Sequence, residues 1–412
     1  MFRSRFGARE ALFSAFFLSG FFMATWITRT PAIREGLGLT LAEMGLVLFG
    51  LSMGSLPGLF VAAPLVHRFG PKPLIIAGEL LTVTGILTAG TPFFFDFGGI
   101  GPFVCAAGLA QVGFGSVFLD IALNVAGAAI EVRSGRPVLT SLHGFFSFGE
   151  AIGAFFGFGA VAFGVAPMEH FLIVALLMLI PFALSLTRMA EITRLVEESS
   201  EKAAPKEKTE GKSSSGSVVT GALLAAAAAV FAVALCEGRA NDWLPILLRE
   251  TVGATTTFSA LAFAIFAACL AAVRFTGTFW LRRFGRGTVL RASAVIALVG
   301  LAIVITMSWA PAVILGVVLW SAGAALGFPV ALSAGAAMEG AGDPAKKMSI
   351  LSSAGYAAFL AGPPTLGFIG EHAGLPAALA VAALFLLFPI ALAGRMTRKT
   401  PGAVHTAVTP EH

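Results

Sequence analysis

Apolar runs of about 20 residues, each long enough to cross a bilayer as a helix, alternate along the chain with short polar segments. They fall near 11–28, 43–66, 73–90, 100–126, 140–163, 169–187, 218–238, 256–280, 289–308, 311–337, 349–369 and 375–394. Polar and apolar positions do not alternate within the runs, which excludes the pattern of a membrane β-barrel. The first run follows Arg3, Arg5 and Arg9, and no small-residue cleavage site is evident after Gly20. It is therefore read as a retained helix and not a leader.

One polar stretch breaks the rhythm. Residues 191–217 are charged and then Ser/Gly-rich, with no apolar face, and read as a cytoplasmic linker. Six runs precede it and six follow. The expected organisation is a six-helix bundle over 1–190, the linker over 191–217, a second bundle over 218–399 and a tail over 400–412. The fold class is all-α: a polytopic membrane protein of twelve transmembrane helices in two pseudo-symmetric bundles.

Composition agrees. The chain is 57% hydrophobic and 12% charged, about half the charge of a soluble protein. Cys105, Cys236 and Cys269 sit in apolar runs, so no disulfide framework is expected. The pI near 9.4 would fit nucleic acid, but the positions of the basic residues point elsewhere. With the N-terminus inside, 22 of the 27 Lys and Arg fall on one side. Arg29, Arg34, Arg239 and Arg249 fall on the other, and Arg274 lies within the eighth run. The positive-inside rule then places both termini in the cytoplasm. A bacterial inner membrane is the expected location.

The halves echo each other. Val125–Glu131 (VAGAAIE) returns as Ser333–Glu339 (SAGAAME), and Arg68-Phe69-Gly70 returns as Arg283-Phe284-Gly285. Parallel six-helix repeats mark one transporter architecture, with its site between the halves near the midplane. At this point the chain resembles the major facilitator superfamily over about residues 8–396. The family's loop motif, roughly G-x-L-x-D-R-x-G-R-R, is matched by Leu65, Arg68, Gly70 and Lys72, but His67 and Pro71 depart from it. In the second half Arg283, Gly285 and Arg286 fit, with Arg282 in the acidic slot. The resemblance implies that Arg68 and Arg283 belong to an inner latch.

The chain is also similar to the subgroup that includes the rhizobial MosC membrane protein and the inner-membrane protein YbjJ. Four stretches carry this similarity: Trp26, Arg29, Pro31, Ala32 and Ile33; Asp120, Leu123, Asn124, Val125 and Gly127; Ser141, His143, Gly144, Phe146, Ser147 and Gly149; and Glu237, Gly238, Asp242 and Trp243. MosC is associated with rhizopines, which are amino- or methoxy-substituted inositols. The resemblance therefore implies a polyol, amino-polyol or sugar as solute.

Ionisable residues inside spans are costly and point to function. Asp120 and Asn124 share a helix face, as do His143 and Glu150 two turns apart. If their helices are neighbours, the four line one cavity as a substrate or proton-coupling site. The alternative is that Asp120 and His143 only bridge helices or pair with Arg133 or Arg136. Glu131 and Glu339 sit near basic residues and read as inner-gate or loop ion pairs. Arg274 reads as a structural ion pair or a snorkelling side chain. Glu79 lacks an obvious partner. Trp26, Arg29, Glu237, Asp242 and Trp243 are expected to form an outer gate, with Arg29 facing Glu237 or Asp242. The two Trp fit either interface anchoring or stacking on a sugar face.

These residues lead to a secondary transporter using alternating access. No nucleotide-binding loop of the form G-x-x-x-x-G-K-[ST] is present, so a proton gradient is the expected energy source, with export preferred. The open alternatives are uptake by proton symport and a non-transporting ligand receptor on the same fold. No enzyme activity, cofactor, metal or nucleic acid is expected. The partners are a small polar solute, protons and membrane lipid, and the chain is expected to be a monomer.

Overall fold

The computed structural model describes residues 7–134, 138–183, 221–336 and 344–396. The expected linker, the tail and Glu339 lie outside the described residues. In chain order the helices are α1 (Ala8–Ile27), α2 (Thr30–Gly36), α3 (Leu41–Phe69), α4 (Pro71–Gly90), α5 (Gly101–Ser134) and α6 (Leu139–Ala162). Then come α7 (Pro167–Ala183), α8 (Gly221–Val252), α9 (Thr256–Thr306), α10 (Ala310–Ala336), α11 (Pro344–Ala373), α12 (Leu375–Phe385) and α13 (Leu387–Met396). There is no strand among the described residues.

Helix α9 is two spans joined at Gly285, whose φ of 76° breaks the helical path. The equivalent turn between α3 and α4 is made by Gly70, with φ 74°. Both glycines end the repeated Arg-Phe-Gly triplet, so the sequence echo is also a backbone echo. A residue with a Cβ is disfavoured at such a φ. With α9 counted twice, α12–α13 as one and the short α2 set aside, the described residues form twelve legs, each matching one of the apolar runs.

Helix α1 lies along α6, and α3 and α4 flank α5. After residue 220, α9 folds back against α10, and α8 packs on α10 and α11. The two sets of helices meet where α6 lies on α9 and α3 on α11. The α1–α6 seam is glycine-built. A Cβ at Gly149 or Gly153 would strike the backbone of Phe17 or Phe21, and one at Gly20 the backbone of Phe146. The close approach places Glu150 against α1. Large apolar side chains such as Phe60, Phe103, Leu176 and Ile180 point outward, 63–79% exposed. That is a liability in water and a fitting surface in lipid.

The largest departure of a helix from its apolar run is at α8. The run near 218–238 ends at the polar cluster of Glu237, Arg239, Asn241 and Asp242, but α8 continues to Val252. Glu237, Arg239 and Asp242 are therefore inside the span, where their charges are paired.

Candidate functional site

Apart from Glu79 on α4, the candidate ionisable side chains of the spans gather into an inner cluster around Asp120 and Arg274 and an outer set. At mid-helix, Asn124 donates from Nδ2 to Asp120 Oδ1 at 2.9 Å and to the Asp120 carbonyl at 2.8 Å. Asn124 Oδ1 lies 3.2 Å from His143 Nε2, a contact that requires His143 to carry its proton on Nε2. The His143 ring packs edge-on against Phe16. Asp120 and His143 are solvent-accessible although they lie midway along α5 and near the start of α6. They line a cleft.

Arg274 ties this group to the second half. Its Nη2 meets Glu237 Oε1 at 2.6 Å, its Nη1 donates to Ser147 Oγ at 3.0 Å, and its Nε donates to the Ala325 carbonyl. It is also within electrostatic reach of both His143 and Glu150. The four residues expected to share a cavity are thus brought together, with Arg274 as the link. Arg274 is an ion-pair residue and not a snorkelling one. Sequence reasoning missed Tyr356 on α11, which lies within electrostatic reach of Asp120 across the cleft. It is the chain's single tyrosine, and that rarity was the available signal.

The outer set corrects the expected gate. Arg29 does not meet Glu237 or Asp242. Its Nε donates to His170 Nδ1 at 2.9 Å, and both side chains are buried. Glu237 belongs to Arg274, and Asp242 pairs with Arg239 at 3.0 Å. The hydropathy of α8 could not show this, because the pairing depends on α9 and on a helical turn beyond the apparent end of the span. Trp26 is buried against Phe171. Trp243 is fully buried beside Gly367 of α11. Both are buried among neighbouring helices in this structure.

What joins the halves at the end expected to face outward is a crossed pair of salt bridges. Arg34 on α2 meets Glu250 on α8 at 2.5 Å, and Arg249 on α8 meets Glu35 on α2 at 2.5 Å. Beside them Glu371 at the end of α11 accepts the Leu41 N–H at 2.8 Å, capping α3 from the other half. The sequence signal was Arg34-Glu35-x-x-Gly38-x-Thr40, which recurs as Arg249-Glu250-x-x-Gly253-x-Thr255.

At the opposite end, Glu131 accepts the N–H groups of Val138 and Leu139 and so caps α6. Arg68 and Arg283 are exposed, and each guanidinium lies over the adjacent Phe ring. No group of His, Cys, Asp and Glu suited to a metal is found among the described residues. The arrangement offers carboxylates, one guanidinium, an imidazole, an amide and hydroxyls around a cleft. It suits the binding of a polar solute and the exchange of protons, and it holds no activated nucleophile.

Comparison with known proteins agrees with this geometry. An uncharacterised MFS-type transporter of Yersinia pestis is 27% identical over 390 residues, covering 93% of this chain and 94% of that one. The membrane protein MosC of Rhizobium meliloti is 24% identical over 370 residues, covering 88% and 84%. The crystal structure of a D-xylose-proton symporter superposes with a TM-score of 0.70 at 13% identity, over 95% of this chain and 97% of that one. The Major Facilitator Superfamily profile matches residues 11–255. With twelve apolar legs, a glycine-turned repeat and a mid-helix charge cluster between its halves, the chain belongs to the Major Facilitator Superfamily of multi-pass membrane transporters.

Proposed function

We propose that the protein exports a small hydroxylated solute, a polyol, amino-polyol or sugar, in exchange for protons across a bacterial inner membrane. Both termini are cytoplasmic in this reading, and the two six-helix bundles rock about the site. The observation that carries it is the Arg274 bridge. One cation from the second half holds Glu237 and Ser147, and it reaches Glu150 and His143 of the first half. Such a cluster offers a solute directional hydrogen bonds, and its acids can load or release protons as the cleft changes sides. In this reading the crossed salt bridges close the outer end. The similarity to MosC supports the solute class.

A second reading, uptake by symport, is favoured by the structural likeness to a proton symporter. Purified protein in vesicles decides between them. The probes are myo-inositol, an amino-inositol and D-xylose, each under imposed pH gradients of both signs. Export by antiport predicts solute movement opposite to the proton gradient, and symport predicts movement with it. D120N and E150Q are expected to abolish proton-driven accumulation and to leave equal exchange of solute. No flux of any probe, or flux indifferent to pH and to both variants, overturns the proposal.

A further inference from the structure

Beside Asp120 lies a cavity. It has a volume of about 220 Å³ and is bordered by α1, α4, α5, α6 and α7. Most of its wall is Phe, Leu and Met, with hydroxyls from Ser19, Thr82 and Ser116. Glu79 of α4 lines it from one side and Asp120 of α5 from another. Glu79 is 3% exposed, and its buried Oε1 has no hydrogen-bond partner among the described residues. No lining residue carries positive charge. The helices α1, α6 and α7 present only Phe, Ser and Met to the space, so Asp120 is the one other titratable group that faces it. Beyond Asp120 come Asn124 and His143, and Tyr356 lies within reach from α11.

A carboxylate without a partner is expensive to bury, and the packing of α4 against α5 has no structural need of one. A chain of packing residues would place Leu or Met at this position. The acid instead faces a space large enough for several waters, whose one titratable neighbour also faces the cleft. We propose that Glu79 is a proton-holding site that exchanges with Asp120 through water in this cavity. In the exchange the O–H proton leaves Glu79 for an intervening water while the Asp120 carboxylate takes one up from the same water. The cavity's net charge is unchanged, and only Asp120 passes the proton on to the cleft. This inference rests on the proton-coupled reading for its use in transport, but not for its existence.

The test is infrared pH titration and hydrogen–deuterium exchange of the full-length purified protein in lipid, with protons and deuterons as the probes. The wild type is expected to show titrating carboxylic-acid carbonyl bands that include those of Glu79 and Asp120. E79Q removes one of them. D120N keeps the Glu79 band but slows its exchange tenfold or more, because its route to solution passes Asp120. If E79Q does not fold, E79D assigns the band by its frequency shift. A Glu79 band that never loses its proton, or one that exchanges as fast in D120N as in the wild type, overturns the proposal. No transported solute is needed, so vesicles that show no proton coupling would remove the transport reading and leave this site standing.

Discussion

Arg239 has no solvent exposure at all. Its guanidinium lies over the bare backbone of Gly362 on α11, where any Cβ would occupy the same space. Its charge is met by Asp242, and its Nε donates to the Leu235 carbonyl. A buried pair of this kind gives little net stability, yet losing one partner typically costs about 3–5 kcal/mol. D242N should therefore lower thermal stability in detergent sharply, whereas the double variant R239M/D242L should recover most of the loss. Equal damage from both would show that the pair does more than neutralise itself. G362A should be as harmful as D242N, since it displaces the guanidinium. These residues were visible in the sequence as Glu237, Arg239 and Asp242, but their partners were not. A window of hydropathy sees a charge cluster and ends the helix, and it has no means of knowing that a glycine on a distant helix makes room for a guanidinium. The same limit misassigned Arg29, whose acceptor His170 lies 141 positions away.

At the scale of elements, the loops after α2 and α8 are built alike. Gly38 and Gly253 hold φ values of 63° and 61°. Thr40 then caps α3 by accepting the Glu43 N–H, and Thr255 caps α9 by accepting the Phe258 N–H. An L-residue forced into the left-handed region costs about 1–2 kcal/mol, and loss of a Thr cap costs about 1 kcal/mol. G38A and G253A should each destabilise by that larger amount, and T255A by the smaller. G159A is the control, because Gly159 sits in α6 with open space around it and should gain about 0.5–1 kcal/mol from helix propensity. Chemical denaturation in mixed micelles reads all four. Equal effects at Gly38 and Gly159 would refute the conformational argument. The spans themselves were legible, since their length and apolarity follow from the bilayer alone. The R-E-x-x-G-x-T repeat was legible too, but only once its two Gly and two Thr were seen to make the same turn. Tyr356 and the extension of α8 were not, because both depend on which helix faces which.

At the scale of the molecule, the end proposed to face outward is held by a contact in which each half supplies the same two residues to the other. Arg34 meets Glu250, and Arg249 meets Glu35. This is the self-complementary pattern of a two-fold interface, here within one chain. It has a consequence for alternating access. The side chains are partly exposed, so each pair contributes only about 0.2–1 kcal/mol. A latch that weak can be opened by binding energy at the site, and a stronger one would trap the closed state. Reversing one charge turns an attraction into a repulsion. R34E should shift the balance toward an open outer end by about 1–2 kcal/mol, roughly a five- to thirtyfold change in the ratio of states. The double variant R34E/E250R should restore the closed population, and so should E35R/R249E on the other pair. Spin labels at A32C and V252C, with Cys105, Cys236 and Cys269 replaced by Ala, report the distance across the end. High salt should mimic the single reversals only in part, because screening weakens an attraction without creating a repulsion. If R34E leaves the distance distribution unchanged while G45L widens it, the closure rests on the tight α3–α11 approach at Gly45 and Pro363, and the crossed charges are bystanders. If R34E opens the end and its charge-swapped partner closes it again, the salt bridges are the outer gate.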